Sequence, residues 1–402
     1  MIFIIKMGVP ILSCMFLIFA CVKNPKLNFI IPALFFTSVV SFSQNFNFFF
    51  REIHQLIQVF ICLFCMLTVL KTRKIPKATL PMLCFLFFIF LSLLFNSLDF
   101  DARVQTINYF IAMLVAISIF ICLRDRNDLI KSFRFVSTLS LILAVFSILE
   151  FIILGSPRVE ASFANPNYLA LFLGVAFSLT FYFQNKFRNT TLTLIFIAIY
   201  LTGSRSALII PFLTIFFVLV NGDSSFKKYM LFSVSVLISI LILSSDSNRF
   251  ATDELRGSDA ERILFSKVAL KMSEDHIYTG VGWGRFIVEF SNYSRDVMAL
   301  DVIDGVVDIS LQERRVTHND FLRILAELGY IAFIVCVLFV GYSAWLVTFK
   351  FRLSDSYLFS IYFGLIIFSM THNNLNTAFS WFFLVLPFSI YIGSHQYRVK
   401  NC

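Results

Sequence analysis

The chain has 402 residues, of which 58% are hydrophobic and 14% charged, with 53 phenylalanines. Soluble domains carry about 25% charged residues, so too little polar surface is present to cover a core of this size; a soluble enzyme, a disordered chain and a fibrous protein are excluded. The net charge of +9 comes without a basic, aromatic-interleaved patch, so it does not point to nucleic acid. What remains is an all-α polytopic integral membrane protein, because the apolar runs are far longer than the ~10-residue alternating strands of a membrane barrel.

Taken in chain order, apolar runs at approximately 7–22, 27–43, 53–70, 79–97, 107–123, 133–154, 167–183, 190–202, 206–220, 229–245, 328–349, 357–371 and 378–394 give about 12–13 transmembrane helices. The first is expected to be a retained span, since Lys6 is the only early cation and no small-residue cleavage site stands out. Charges between the runs set the orientation. Alternate loops hold eighteen cations, among them Lys71, Arg73, Lys74 and Lys77, then Arg124, Arg126, Lys131 and Arg134, then Lys350 and Arg352. The intervening short segments hold only Lys6, Arg51, Arg103, Arg158 and Arg205. The first set belongs in the cytoplasm, which puts the C-terminus inside and, for an odd number of spans, the N-terminus outside.

This topology divides the chain into membrane helices over 1–245, one long outer loop over 246–325 and membrane helices over 326–402. The loop has fourteen acids and ten bases between Asp246 and Arg323, with glycine turns at Gly280, Gly282 and Gly284, and is expected to form a small folded cap. Seven of the eight cysteines lie in or beside apolar runs and none in the loop, so the cap has no disulfide staple. Cys62 and Cys65 form a C-x-x-C without His or Cys partners nearby, which fits helix packing better than zinc or redox chemistry.

Cations on the outer side oppose the topology rule and call for a reason. Arg205 lies in Thr202-Gly203-Ser204-Arg205-Ser206, a short turn at the start of a helix. It is either an interfacial anchor that snorkels to headgroups or part of an anion site. Arg262 follows Ser258 and Glu261, whose capping-box spacing predicts a helix from there to about Ser273 with Arg262 in its first turn. A solvated pair with Asp259 or Glu261 is the plain alternative. Thr317-His318-Asn319-Asp320 precedes a run of helical spacing, with Thr317 as the expected N-cap. A helix N-terminus disfavours imidazolium and would keep His318 neutral, as a general base requires; an ordinary interfacial histidine is the other reading. His372, in Thr371-His372-Asn373-Asn374, is a second candidate, whereas His54 and His395 fit the interface.

Three patterns are weaker. Asp99-Phe100-Asp101 could hold a divalent cation, but three residues say little. Gly282-Trp283-Gly284 lacks the Lys-Ser/Thr of a phosphate loop. Paired carboxylates of glycosidase type do not stand out among the acids of the loop.

Four stretches together carry a resemblance: Ser162-Phe163-Ala164-Asn165-Pro166-Asn167-Tyr168; Leu201-Thr202-Gly203-Ser204-Arg205-Ser206-Ala207; Arg262 through Gly280-Val281-Gly282-Trp283-Gly284-Arg285-Phe286; and Thr317-His318-Asn319-Asp320 through Ala326-Glu327-Leu328-Gly329. In order and spacing, over roughly residues 155–345, they resemble the O-antigen ligase and polymerase superfamily of bacterial inner-membrane glycosyltransferases. The resemblance implies transfer of a glycan from an undecaprenyl-diphosphate-linked oligosaccharide to an acceptor hydroxyl at the periplasmic face, without metal or other cofactor. It implies that Arg205 and Arg262 neutralise the diphosphate and that His318 takes the acceptor proton, with Arg285, Asn165, Asn319 and His372 as substrate-binding candidates. The glycine motif and the Ala326–Gly329 continuation look more like polymerases; a ligase adding polymer to lipid A–core and a protein O-oligosaccharyltransferase stay open. A chain-length regulator partner is implied only by the polymerase resemblance. A lipid-linked glycan flippase is the reading from another class; against it stand spans nearly free of ionisable residues and the absence of a two-fold repeat.

Overall fold

The computed structural model describes residues 80–95, ten positions within 106–120, 126–183 apart from 162 and 164, 187–221, 253–300, 317–350, and 357–392 apart from 376. The expected spans 7–22, 27–43, 53–70 and 229–245, the Asp99-Phe100-Asp101 pattern, Cys62, Cys65, His54 and His395 lie outside them. Among the described residues the fold is all-α. Its helices are α1 (Leu80–Phe95), α2 (Arg126–Leu154), α3 (Pro166–Phe183), α4 (Arg188–Thr202), α5 (Ile209–Asn221), α6 (Asp253–Asp275), α7 (Phe286–Leu300), α8 (Asp320–Phe349), α9 (Tyr357–Ser369) and α10 (Ala378–Ile392). A short 3₁₀ turn, Ser206–Leu208, precedes α5, and helical residues within 106–120 precede α2.

Three helices are long and apolar enough to cross a bilayer, at Leu129–Leu154, Pro166–Phe183 and Asp320–Phe349; α1, α5, α9 and α10 are shorter apolar helices. The chain is a multi-pass membrane protein of all-α class. Apolar residues run all round these helices because one side faces other helices and the other faces lipid. Phe87, Ile152, Phe216 and Leu338 are exposed, while Phe120, Phe133, Phe172 and Phe368 are fully buried.

The helices alternate in direction, which gives the bundle two distinct ends. At one end the start of α2, the last turn of α3 and the start of α9 meet: the Phe133 ring lies 5.4 Å from Phe183 and 5.6 Å from Tyr357. The exposed cations Lys131, Arg134 and Lys350 belong to this end. At the other end the α2–α3 loop, the α4–α5 turn, the start of α8 and the α9–α10 turn come together. Arg158 Nε donates to the Thr202 carbonyl at 2.9 Å, the Tyr168 hydroxyl donates to the Asn373 carbonyl at 2.8 Å, and the Asn374 amide donates to Asp320 Oδ2 at 2.7 Å.

The α6–α7 hairpin has a small core of its own. Leu264, Phe265, Val268, Met272, Val281, Phe286 and Phe290 are buried together and share Ala326 of α8. The hairpin crosses α8 where α8 breaks. Gly329 is non-helical (φ 80°, ψ 179°), so the backbone bonds of α8 fail around it. Chain 277–282 replaces them: Tyr330 N donates to Ile277 O at 2.9 Å, Val281 N to Ala326 O at 2.9 Å, and Gly282 N to Glu327 O at 3.1 Å. Two glycines permit this approach. A Cβ on Gly280 would fall on the Glu327 carbonyl, and one on Gly329 would lie 2.6 Å from the Tyr278 carbonyl.

Two expectations need correction. The helix carrying Arg262 starts at Asp253, not Ser258, so Arg262 lies in its interior and not in its first turn. Ser258 and Glu261 have capping-box spacing, but the helical segment continues upstream of them. Likewise the helix after the loop starts at Asp320, eight residues before the predicted apolar run, and its N-cap is Asn319 instead of Thr317. Hydropathy missed this first stretch because it contains Asp320, Arg323 and Glu327, all buried. These membrane-bundle helices are therefore not free of buried ionisable groups.

Candidate active site

The site is built at the loop-rich end of the bundle from four connections. Gly203, left-handed at φ 66°, ends α4 and turns the chain sharply into Ser204-Arg205-Ser206. A side chain there would be strained, whereas glycine adopts this conformation freely. Arg205 is exposed at the start of the 3₁₀ turn. Its neighbour Ser206 places Oγ 3.4 Å from His372 Nδ1, joining this turn to the α9–α10 turn.

His372 stacks on Phe368 with ring centroids 4.4 Å apart, and its Nδ1 lies 2.9 Å from Thr371 Oγ1. That hydroxyl already donates to the Phe368 carbonyl, so a neutral ring fits best with its proton on Nδ1 and the lone pair on Nε2. Burial lowers the pKa of His372 to about 3, helped by the positive charges of Arg262 and Arg158. The ring therefore stays neutral at physiological pH.

His318 occupies a left-handed conformation at φ 51°, unusual for a non-glycine residue. It lies one residue before the N-cap of α8, where Asn319 Oδ1 accepts from Phe321 N at 3.0 Å and Leu322 N at 3.1 Å. The strained residue is held from both sides. Thr317 Oγ1 lies 3.0 Å from both the Asn319 carbonyl and Asn373 Oδ1. Asp320 Oδ2 accepts from Asn374 N at 2.7 Å and Leu375 N at 3.0 Å. The segments bearing His318 and His372 are thereby tied at two points. The His318 ring also lies 5.9 Å from Phe265, within one helical turn of Arg262 on α6. Arg262 itself is exposed.

The structure thus gathers His318, Arg262 and His372, and brings in the turn that bears Arg205. Other candidates have different places. Asn319 uses its side-chain oxygen as the cap of α8. Asn165 caps the start of α3, accepting from Asn167 N at 2.8 Å. Arg285 forms a 2.6 Å ion pair with Glu289 one turn along α7.

Sequence reasoning did not assign Arg158 to the site, although it stood out as an outer-side cation. Its guanidinium donates to Thr202 O and, at 2.9 Å, to Asn167 Oδ1, so it ties the α2–α3 loop to the Arg205 turn while its charge reaches His372. Asn373 was missed as well; nothing in a polar turn residue signals that it will bond both Thr317 and Tyr168.

Beneath this surface Arg323 and Glu327 form a buried pair, Nε to Oε2 3.0 Å. Glu327 Oε1 also accepts from Phe286 N at 3.0 Å, and Arg323 donates to the Tyr109 hydroxyl at 2.7 Å while lying over the Tyr109 and Trp283 rings. Every link points inward, so the pair fastens the glycine-rich loop to the bundle. Trp283 completes the fastening: its amide donates to Ser92 of α1 at 2.9 Å and its ring lies in the main core.

No curated protein matches the chain. Residues 190–337 match the family model described as O-antigen ligase, a stretch that includes Arg205, Arg262, Arg285, His318 and the Gly329 break. Over this stretch the chain is similar to the O-antigen ligase family, which supports the resemblance to the O-antigen ligase/polymerase superfamily.

Proposed function

We propose that the protein is a glycosyltransferase of the bacterial inner membrane that acts at its periplasmic face. It moves a glycan from an undecaprenyl-diphosphate carrier to an acceptor hydroxyl, most consistently to extend O-antigen or a related polysaccharide. The observation that carries this reading is that the segment of His318 is bonded to the turn of His372, which Ser206 of the Arg205 turn touches, while Phe265 sets the Arg262 helix against His318. A cluster of cations with neutral imidazoles, at the end of a membrane bundle, suits a lipid-bound anion and a proton transfer beside it. The opposite end bears Lys131, Arg134 and Lys350, which supports the site end as the outer one.

In this reading the acceptor oxygen bonds to the anomeric carbon as the bond from that carbon to the diphosphate oxygen breaks. His318 takes the hydroxyl proton. Its position just before α8 puts it at the positive end of a helix dipole, among cations, where imidazolium is disfavoured and a lone pair is available. Arg205 and Arg262 meet the charge that builds on the departing diphosphate, and guanidinium can bind phosphate oxygens in pairs. Chemistry of this kind has no step that calls for a metal or nucleotide. A chain-length regulator would be a partner only if the protein is a polymerase.

The family model's description favours a ligase as the second reading. Lipopolysaccharide from a strain deleted for the gene separates the two. Core bearing a single repeat unit identifies a polymerase; bare core with accumulating lipid-linked polymer identifies a ligase. An unchanged ladder overturns the lipopolysaccharide role. Restoring the gene as His318→Ala tests the base: recovery of product removes His318 from the mechanism, and loss of product with the carrier still crossing the membrane excludes a flippase.

A further inference from the structure

The cap is the hydrophilic part of the chain, yet α6 and the turn after it expose large apolar side chains. Ile263 is 55% exposed, Leu270 44%, Ile277 48% and Tyr278 75%. Ile263 and Leu270, seven apart on α6, share one face opposite buried Leu264, Phe265, Val268 and Met272, and Ile277 and Tyr278 follow in the turn after Asp275. Lys267 and Lys271 flank this stripe, Lys271 also lying 3.2 Å from Asp275 and 3.8 Å from Glu274.

Both ends of the stripe are fixed to the tops of membrane helices. Near Ile263, Phe265 packs on His318, which precedes α8, and the adjacent Thr317 bonds Asn373 of the α9–α10 turn. At the other end the Ile277 carbonyl accepts from Tyr330 N, and from Tyr330 onward α8 exposes Ile331, Ile334 and Leu338. The stripe is therefore continuous with the apolar surface of a helix that crosses the bilayer. Seven residues of α6, about 10 Å, separate Ile263 from Leu270, and the stripe continues into the turn at Ile277.

We propose that α6 lies in the outer interface of the bilayer, with Ile263, Leu270, Ile277 and Tyr278 in contact with lipid acyl chains and Lys267 and Lys271 at headgroup level. An amphipathic helix with flanking lysines suits that depth, where apolar side chains enter the acyl boundary and ammonium groups meet lipid phosphates. The placement holds whatever glycan the protein handles. Its consequence is that Arg262, next to Ile263, is held at the height of a lipid phosphate.

The test is collisional accessibility of a nitroxide in lipid nanodiscs of phosphatidylethanolamine and phosphatidylglycerol. Ile263→Cys, Leu270→Cys, Ile277→Cys and Asp275→Cys are labelled in the full chain with its native cysteines replaced. Oxygen, which concentrates in lipid, should relax the first three labels more than a water-soluble nickel chelate does, with the order reversed at Asp275→Cys. As a check that keeps the native cysteines, emission added by Leu270→Trp should be quenched by lipids brominated on the acyl chain. Nickel accessibility at 263 and 270 equal to that at 275 overturns the proposal in favour of an aqueous face. Low access of both reagents overturns it in favour of a protein partner or a second copy, and unquenched Leu270→Trp emission overturns it independently.

Discussion

Replacing Glu327 with leucine tests whether the buried pair fastens the cap to the bundle. The Glu327 side chain is wholly buried and holds two donors, Arg323 Nε and Phe286 N, each at 3.0 Å. Its loss leaves Arg323 buried with the Tyr109 hydroxyl and two ring faces, but without its countercharge. Stranding one member of a buried pair costs about 3–5 kcal/mol. The orphaned Phe286 amide adds about 1–3 kcal/mol. These losses share one site and do not simply add, so we expect destabilisation of about 4–6 kcal/mol. Glu327→Gln keeps an acceptor and should lose less. The double variant Arg323→Met/Glu327→Leu removes both charges and should be more stable than Glu327→Leu alone. Unfolding by SDS titration in mixed micelles, followed by near-ultraviolet circular dichroism, reads the change; Trp283, packed 4.6 Å from Tyr109 and 5.6 Å from Phe85, reports on this site. If Glu327→Leu lies within 1 kcal/mol of the parent, or the double variant loses the full sum of the singles, the pair is not the fastening described above.

The backbone crossing makes a parallel prediction: Gly329→Ala adds a Cβ 2.6 Å from the Tyr278 carbonyl at a left-handed φ, and should separate the hairpin from α8, seen as protease sensitivity within 276–285. Should the proposed mechanism hold, His318→Ala lowers transfer in proteoliposomes by about 10²–10⁴-fold at unchanged folded yield. Arg262→Ala should cost about 10²–10³-fold, and Arg262→Lys should recover only part because an ammonium cannot pair two phosphate oxygens. For His372 the folded pKa, about 3, lies below the unfolded value of 6.5. The unfolded chain then binds the extra proton, so its contribution to stability is intact above pH 6.5 and declines as pH falls toward 3, by at most about 1.4 kcal/mol per pH unit. His372→Gln should flatten that part of the stability profile between pH 7 and pH 4; an unchanged slope refutes the assignment.

Much of the bundle was legible because long apolar runs have few alternatives. The runs at 79–97, 167–183 and 378–394 match α1, α3 and α10 to within a few residues. The cap helix and the start of α8 were misjudged for one shared reason. Local signals such as Ser258 with Glu261, or the apolar onset at Leu328, mark a plausible end of an element, but tertiary partners decide where it stops. Asp320, Arg323 and Glu327 look like loop residues until Asn374, Tyr109 and Phe286 supply their hydrogen bonds. The same applies to the site. Arg205, Arg262, His318 and His372 stood out as polar groups in the wrong place, which sequence can show. Arg158 and Asn373 work through bonds to distant segments, which it cannot.

The broken helix and the strained histidine belong to one construction. Non-helical backbone at the edge of a bilayer is tolerated only where protein satisfies its polar groups. At Gly329 chain 277–282 does so, and the bonds it makes set where α6 lies along α8. Because Phe265 on α6 packs against His318, that crossing also governs how Arg262 approaches the histidine. At the opposite end of the same short stretch, Asn319, Asp320 and Thr317 hold His318 at its positive φ. A left-handed residue costs roughly 1–2 kcal/mol and persists only when its surroundings over-determine it. The segment from His318 to Gly329 is thus fixed at both ends by glycine-dependent or capped geometry, and the cation on α6 takes its position from that segment. Loosening either end should therefore change the relation between Arg262 and His318 before it changes either residue itself. On that argument, and should the proposed mechanism hold, Gly329→Ala, far from the surface cluster, lowers transfer while leaving Arg262 and His318 themselves unchanged.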